Sequence, residues 1–321
     1  MKLTFDQIKS ITTGAIDVRK TDCGIEFDKC TERQVQAWLD YGNKDLSFRA
    51  QTTTGVRLDF YTDSKNFAFK AVSGVKFELL IDGKIRERFL SENNNPIEKS
   101  IKITDALGKE KSESRITLVF PSHSIGMLEC VEIDDGAYIR KPKYDHKILF
   151  IGDSITQGWN SKFDSLSYAW RVTNFFNADS VINGIGGAFY QPETFDKIDF
   201  DPEIVIVAYG TNDACRFDYE GMKARTTAHL DLIKGEYGDK KVVIISPIWR
   251  AKADGNVMGA EFERKRTMVE DEAKARGFYV ISGLALLDPI PDFFADTYLH
   301  PNDLGFGVYA ENLIKELLKV I

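Results

Sequence analysis

The chain has 321 residues, 43% of them hydrophobic and 28% charged, as in an ordinary globular protein with enough chain for two domains. Its net charge is −7, whereas nucleic-acid binding requires a positively charged surface. No apolar run approaches the roughly 20 residues of a membrane helix, and the cysteines lack metal-like spacing, so neither a membrane span nor a bound metal is predicted.

The first half of the chain has the pattern of an all-β domain. Short runs of apolar residues, several of them alternating with polar ones, are separated by polar turns between about residues 24 and 138; they cover 56–61, 67–72, 77–81, 84–90, 101–103, 115–120 and 131–133. Asp82-Gly83 lies between two of these runs and is a strong hairpin signal. No helical period is seen between the runs, so we expect a jelly-roll-like β-sandwich over residues 1–140. The N-terminal segment has no apolar stretch typical of a secretory signal, and a cytoplasmic location is expected.

The pattern changes after a polar, proline-bearing linker at 140–146. Apolar runs now alternate with helical stretches, and the last helix starts at about Leu304; the runs are 148–151, 180–182, 204–208, 242–245 and 279–281. Alternation of this kind predicts a five-stranded parallel sheet covered by helices on both faces. We therefore expect an α/β domain of three layers over residues 147–321.

Four small polar clusters follow strands or precede the last helix of this domain. They are Gly152-Asp153-Ser154, Asn183-Gly184-Ile185-Gly186-Gly187, Tyr209-Gly210-Thr211-Asn212-Asp213 and Asp296-Thr297-Tyr298-Leu299-His300-Pro301-Asn302. Ligands bind beyond the carboxyl ends of parallel strands, where all four clusters can meet. Acyl transfer needs a nucleophile, a base and donors for the developing oxyanion. Ser154 supplies a hydroxyl and His300 an imidazole. Gly187 offers an unobstructed N–H and Asn212 an amide N–H.

These clusters, in this order, resemble the four sequence blocks of the SGNH (GDSL-type) hydrolases. The blocks are G-D-S-I-T, the glycine-rich second cluster, G-T-N-D and H-P-N, and the resemblance covers about residues 147–321. It implies a flavodoxin-like fold and serine ester hydrolysis. It also implies that Ser154 is the nucleophile, that His300 is the base, and that Ser154, Gly187 and Asn212 form the oxyanion hole. The adjacent Gly186 leaves a second register open for the glycine donor.

One spacing departs from the family pattern, which places an aspartate three residues before the histidine. Thr297 occupies that position here, and Asp296 lies four residues before His300. One extra residue displaces a backbone by about 3.3–3.6 Å. A local bulge would bring the Asp296 carboxylate to the imidazole. The alternative is a backbone carbonyl that orients the imidazole in a Ser-His dyad.

Two other catalytic or binding motifs do not fit these residues. The glycine-rich cluster lacks the G-x-G-x-x-G spacing and the P-loop lysine, and Ser154 is not in a G-x-S-x-G elbow. Nucleotide binding and the ordinary α/β-hydrolase fold are therefore disfavoured. The aromatic residues Trp159, Tyr190 and Trp249 follow strand ends and are candidates to line the substrate pocket.

The sequence therefore predicts a serine esterase that removes small acyl groups, in particular acetyl, from a sugar or oligosaccharide without a cofactor. A sandwich domain followed by the hydrolase-like domain is similar to the order of domains in carbohydrate acetyl esterases of the same superfamily. The alternatives are a lysophospholipase or thioesterase of the same fold, and a carbohydrate-binding protein that keeps the fold without the reaction. Expected partners are small-molecule or oligosaccharide esters, not nucleic acids or membranes.

Overall fold

The computed structural model describes residues 1–92, 95–105, 107–251 and 259–321. Its α-helices, in chain order, are α1 Phe5–Ile11, α2 Glu32–Asp40, α3 Lys44–Ala50, α4 Ser154–Gln157, α5 Tyr168–Phe175, α6 Thr211–Arg216, α7 Tyr219–Tyr237, α8 Ala260–Ala275 and α9 Asp303–Leu317. Its strands are β1 Thr12–Thr13, β2 Asp17–Lys20, β3 Ile25–Asp28, β4 Arg57–Thr62, β5 Asn66–Ser73, β6 Lys76–Ile81, β7 Lys84–Leu90, β8 Ile97–Lys102, β9 Ser114–Val119, β10 Met127–Ile133, β11 His146–Gly152, β12 Ala178–Gly184, β13 Ile204–Ala208, β14 Lys241–Ile245 and β15 Tyr279–Ile281.

The chain forms two compact units. The first comprises Met1–Lys29, Gln51–Tyr144 and Phe163–Ser165, and the second comprises Cys30–Ala50, Asp145–Lys162 and Leu166–Ile321. This grouping places residues 30–50, which the sequence prediction included in the first domain, with the second unit.

The first unit contains two five-stranded antiparallel sheets, with strand orders β1-β4-β9-β6-β7 and β2-β3-β10-β5-β8. Alternate residues of the strands form one hydrophobic core, in which Phe60, Phe69 and Phe77 are at most 1% exposed. The hairpin between β6 and β7 turns at Asp82 and Gly83, whose φ angles of 52° and 75° are those of a type I′ turn. The predicted all-β sandwich is confirmed.

The segment between β3 and β4 is helical, so the expectation of strands alone between residues 24 and 138 is wrong there. Thr31 and Gln34 form a capping box at the start of α2, and the helix buries Gln34 and Trp38 on one face. Helix α3 follows after a short turn and buries Leu46, Ser47 and Ala50. The sequence T-E-R-Q-V-Q-A-W-L-D contains these capping residues and an apolar period typical of a helix. The strand pattern of the surrounding chain nevertheless favoured an all-β prediction for this segment.

The second unit is built on a parallel sheet with the strand order β12-β11-β13-β14-β15. Its inner strands are continuous apolar runs, as in β13, because both faces of such a sheet are covered. The predicted three-layer α/β fold with five parallel strands is confirmed. The chain moves to opposite sides of β11 to form β12 and β13, which makes the carboxyl edge of β11 a topological switch point, where ligands of such sheets bind.

Candidate active site

The turn that leaves β11 holds the predicted nucleophile. Asp153 is the N-cap of α4, and its Oδ1 accepts a hydrogen bond of 2.9 Å from the N–H of Ile155. A Cβ atom on Gly152 would lie 2.1 Å from Thr156 Oγ1, so only glycine permits this tight strand-to-helix turn. Ser154 follows at the first position of α4 and is 5% exposed.

The predicted base lies beside the predicted nucleophile. Ser154 Oγ is 3.0 Å from His300 Nε2, although the two residues are 146 positions apart. The N-cap Asn302, two residues after His300, accepts hydrogen bonds from the N–H groups of Leu304 and Gly305 and so fixes the start of α9 at Asp303. The structure therefore brings together one hydroxyl and one imidazole in the geometry that general-base activation requires.

Asp296 reaches the other side of the imidazole. Its Oδ2 lies 2.6 Å from His300 Nδ1, and its Oδ1 accepts N–H groups from Tyr298, Leu299 and His300 at 3.2, 2.8 and 3.0 Å. Thr297 absorbs the extra residue by adopting a left-handed conformation with φ 66°. This conformation is strained for a β-branched side chain, and such strain is typical of functional loops. The geometry matches a local bulge, with the carboxylate rather than a carbonyl at Nδ1.

The electrostatics of this pair favour a neutral base. Burial lowers the pKa of His300 below its ordinary value, although the Asp296 carboxylate acts to raise it. Burial alone would raise the pKa of Asp296, but hydrogen bonds from Leu299 and His300 outweigh it and lower that pKa. At neutral pH the imidazole is therefore uncharged and the carboxylate ionised, which are the forms that proton abstraction needs.

The glycine-rich loop after β12 presents one unused N–H group. The N–H of Gly186 donates to Gln157 Oε1 at 2.6 Å, and that of Ala188 donates to the Ile185 carbonyl at 2.9 Å. The N–H of Gly187, between them, has no hydrogen-bond partner within the described residues. Gly187 has φ 88°, which other residues rarely adopt. These contacts favour Gly187 over Gly186 as a donor to a bound oxyanion.

Asn212 lies in the first turn of α6, after Gly210 with φ 112°. Its Nδ2 donates a hydrogen bond of 2.9 Å to the carbonyl of Ala188. An amide nitrogen carries two hydrogens, so this bond orients the side chain and leaves a second donor. The same bond ties Asn212 to the residue after Gly187.

Two buried carboxyl groups lie beneath these turns. Burial raises the pKa values of both Asp153 and Asp213 to about 7. Asp213 Oδ1 accepts the N–H of Tyr190 at 2.9 Å and so connects the glycine-rich loop to α6. These two aspartates brace the loops that carry Ser154 and Asn212.

The three predicted pocket residues have different positions. The Trp159 ring centroid is 6.4 Å from that of His300, so this residue borders the site. Tyr190 is 0% exposed and packs against Tyr209 and His229, so the structure places it in the core and not in the site. Trp249 is half-buried against Phe294, with a centroid distance of 5.2 Å.

Sequence reasoning missed Arg49 and Gln157, both of which contact the glycine-rich loop. Arg49 Nη1 donates to the Gly186 carbonyl oxygen at 2.7 Å, and Gln157 accepts from the N–H of the same glycine. Gln157 lies within the G-D-S-I-T-Q-G stretch and its proximity to Ser154 was a usable signal. Arg49 had no such signal, because it precedes Gly186 by 137 positions and only the fold brings the two residues together.

Within the described parts of the chain, no cluster of His, Cys, Asp or Glu residues has the arrangement of a metal site. No described helix is long and apolar enough to cross a membrane.

Comparisons with known proteins gave a match to one family model and to several solved structures. Residues 150–308 match the GDSL-like Lipase/Acylhydrolase family. Among solved structures, the chain is similar to the salicylyl-acyltransferase SsfX3 from a tetracycline biosynthetic pathway, with TM-score 0.79 and 17% identity over 96% of this chain and 94% of that one. It is also similar to family two carbohydrate esterases. For that of Clostridium thermocellum, in complex with cellohexaose, the TM-score is 0.65 at 16% identity over 83% and 92% of the two chains. For that of Cellvibrio japonicus it is 0.65 at 13% identity over 96% and 94%. The curated protein sequences gave no match. At these identities the structural likeness establishes the fold.

Proposed function

We propose that this protein is a serine esterase. The premise is the match of residues 150–308, which confirms the resemblance to the SGNH (GDSL-type) hydrolases. The protein removes small acyl groups, in particular acetyl, from carbohydrates. The observation that carries the proposal is the series of hydrogen bonds from Ser154 Oγ through His300 to Asp296, at 3.0 and 2.6 Å.

The first half of the reaction forms an acyl-enzyme. His300 Nε2 removes the proton of Ser154 as Oγ attacks the ester carbonyl carbon. Asp296 keeps the other imidazole proton on Nδ1 and stabilises the imidazolium that results. When the tetrahedral intermediate collapses, the carbon–oxygen bond to the sugar breaks, and the imidazolium gives its proton to the departing alcohol.

Water completes the cycle. His300 accepts a proton from water, the resulting hydroxide attacks the acyl carbon, and Ser154 Oγ leaves with a proton returned by the imidazolium. The products are a carboxylic acid and the free hydroxyl of the sugar. These steps need no metal or organic cofactor, because the same imidazole carries all four proton transfers.

Three donors stabilise the negative oxygen of each tetrahedral intermediate. They are the N–H groups of Ser154 and Gly187 and the second hydrogen of Asn212 Nδ2. Fixed donors of this kind contribute more in the transition state than in the ground state, and loss of one costs about 10²–10³ in kcat in a comparable enzyme. The unused N–H of Gly187 supports this role.

The choice of carbohydrate esters rests on the two-domain organisation and on the family two carbohydrate esterases of similar fold. A screen of acetate release over acetylated saccharides tests it, with Ser154→Ala as the control. The same preparation is assayed with 4-nitrophenyl esters of increasing chain length. We expect turnover of acetylated sugars and of the shortest esters. Faster turnover of long acyl chains would contradict the proposal and favour the lysophospholipase or thioesterase alternative.

A second candidate function is transfer of the acyl group to an alcohol other than water. The structural similarity to a salicylyl-acyltransferase, which covers 96% of this chain, is the observation in its favour. Both functions share the acyl-enzyme and differ in what attacks it. The test is to add a candidate alcohol and measure acetate release. A fall in acetate release, matched by formation of a new ester, would favour transfer. Unchanged acetate release would favour hydrolysis.

A further inference from the structure

Arg49 connects the helical segment at 30–50 to the glycine-rich loop. It lies in the last turn of α3, within the second unit, and precedes Gly186 by 137 positions. Its Nη1 donates a hydrogen bond of 2.7 Å to the carbonyl oxygen of Gly186. A charged donor makes this a stronger contact than an ordinary amide–carbonyl bond.

The bonded carbonyl belongs to the same peptide group as the N–H of Gly187. A peptide group is planar and trans, so its C=O and N–H point in opposite directions. An arginine that holds the Gly186 oxygen on one side therefore aims the Gly187 hydrogen towards the other. Without such an anchor this peptide could rotate readily, because glycine on both sides imposes few restrictions on φ and ψ.

The arginine is itself held in place. Its guanidinium carbon lies 5.0 Å from the ring centroid of Trp159, within the range of a cation–π contact. A Cβ on Gly186 would lie 3.3 Å from Trp159 Cε3 and 3.4 Å from Arg49 Cδ. A Cβ on Gly187 would lie 3.2 Å from both Arg49 Nη1 and Leu46 Cδ2. The loop thus packs directly against α3 and Trp159.

We propose that Arg49 is a positioning residue of the oxyanion hole, which orients the Gly187 N–H through the Gly186 carbonyl. The proposal rests on the proposed esterase function. An interaction that acts only on the donor for the developing oxyanion lowers kcat when it is removed and leaves KM nearly unchanged. One misaligned donor of three is expected to cost about 10- to 100-fold in kcat, somewhat less than the loss of a donor.

The rival explanation is that a positive charge near the site is sufficient. Arg216 provides the matched control, because its Nη2 lies 3.9 Å from the point where a Gly187 Cβ would be. Its guanidinium packs over Phe189, 4.7 Å from the ring centroid, and among the described residues it donates no hydrogen bond to the Gly186 carbonyl. Arg216→Met removes a charge at a similar distance and leaves the anchor intact.

The experiment compares the wild type with Arg49→Met, Arg49→Lys and Arg216→Met. Two rates are measured: hydrolysis of 4-nitrophenyl acetate, and phosphonylation of Ser154 by a fluorophosphonate, whose phosphoryl oxygen occupies the oxyanion hole. For Arg49→Met we expect both rates to fall about 10- to 100-fold, with KM within threefold and partial recovery on addition of methylguanidine. Arg49→Lys should lose less, and Arg216→Met should remain within threefold of the wild type.

Equal losses in Arg49→Met and Arg216→Met would overturn the proposal in favour of a simple charge effect. Losses confined to KM, or an Arg49→Met rate within threefold of the wild type, would overturn it as well. A lower thermal midpoint without rescue by methylguanidine would assign Arg49 a purely structural role. If the wild type itself is neither phosphonylated at Ser154 nor active, the proposed esterase function fails and this inference fails with it.

Discussion

Replacement of Asp296 by asparagine tests how the imidazole is held. In the wild type, Oδ2 contacts His300 Nδ1 at 2.6 Å while Oδ1 accepts three backbone N–H groups. An asparagine keeps its oxygen towards those three donors, so its NH₂ group faces Nδ1. Nδ1 must then accept, which moves the imidazole proton to Nε2, the atom that faces Ser154. The base is thereby lost while the geometry is preserved.

The magnitude follows from that change of tautomer. The equivalent substitution in a serine protease costs about 10⁴ in kcat, or about 5.4 kcal/mol at 1.36 kcal/mol per tenfold change. We expect a loss of about 10³–10⁴ in kcat for Asp296→Asn. Asp296→Ala should lose less, about 10², because the residue is half-buried and a water oxygen can accept the hydrogen bond from Nδ1–H in place of the carboxylate.

Steady-state hydrolysis of 4-nitrophenyl acetate measures these losses, and Asp292→Asn is the matched control. Asp292 is exposed in the same loop, and its side chain makes no hydrogen bond within the described residues. We expect that control to stay within twofold of the wild type. A loss below about threefold in Asp296→Ala would remove the carboxylate from the mechanism. A loss in Asp296→Asn no greater than in the alanine variant would refute the tautomer argument.

The remaining predictions concern pH and the glycine-rich loop. Because the imidazole must be neutral and burial lowers the pKa of His300, kcat/KM should rise with pH and reach half of its maximum below about pH 6.5, as a pH–rate profile would show. Residual activity of Asp296→Asn should reach half-maximum at still lower pH, since the carboxylate raises that pKa. Asp213 has a pKa of about 7 in the folded protein and about 3.9 when unfolded, so the folded state holds an extra proton between these values. The free energy of unfolding should therefore fall as pH rises through this window, and Asp213→Asn should reduce the slope by up to about 1.4 kcal/mol per pH unit in urea titrations. An unchanged slope would show that the group is ionised when folded. Gly187→Ala should lose at least about tenfold in kcat, because φ 88° and the 3.2 Å contact with Leu46 force the loop to move.

The sequence was sufficient to predict the two architectures and the meeting of the polar clusters. Continuous apolar runs and the order of strands and helices constrain a parallel sheet strongly, and its carboxyl edge then collects whatever follows each strand. Ser154 and His300 were therefore predictable as neighbours. Their separation of 3.0 Å, by contrast, depends on the turn at Gly152 and on the cap of α9.

Other features depended on conformations that a pattern does not specify. The spacing of Asp296 left a carbonyl as an alternative, and only the left-handed backbone at Thr297 shows how four residues span the distance. Tyr190 follows a strand like Trp159, yet the Asp213 carboxylate binds its N–H and its ring is buried. Arg49 belongs to a segment that precedes most of the sandwich, and no local signal relates it to the catalytic loop.

The most direct test of the central claim is covalent trapping of the nucleophile. The wild-type protein is treated with a fluorophosphonate and analysed by intact mass and by sequencing of the labelled peptide. We predict a single adduct on Ser154, its absence in Ser154→Ala, and labelling slowed by at least about 10²-fold in His300→Gln. An adduct on another residue, or labelling of His300→Gln at the wild-type rate, would contradict the account.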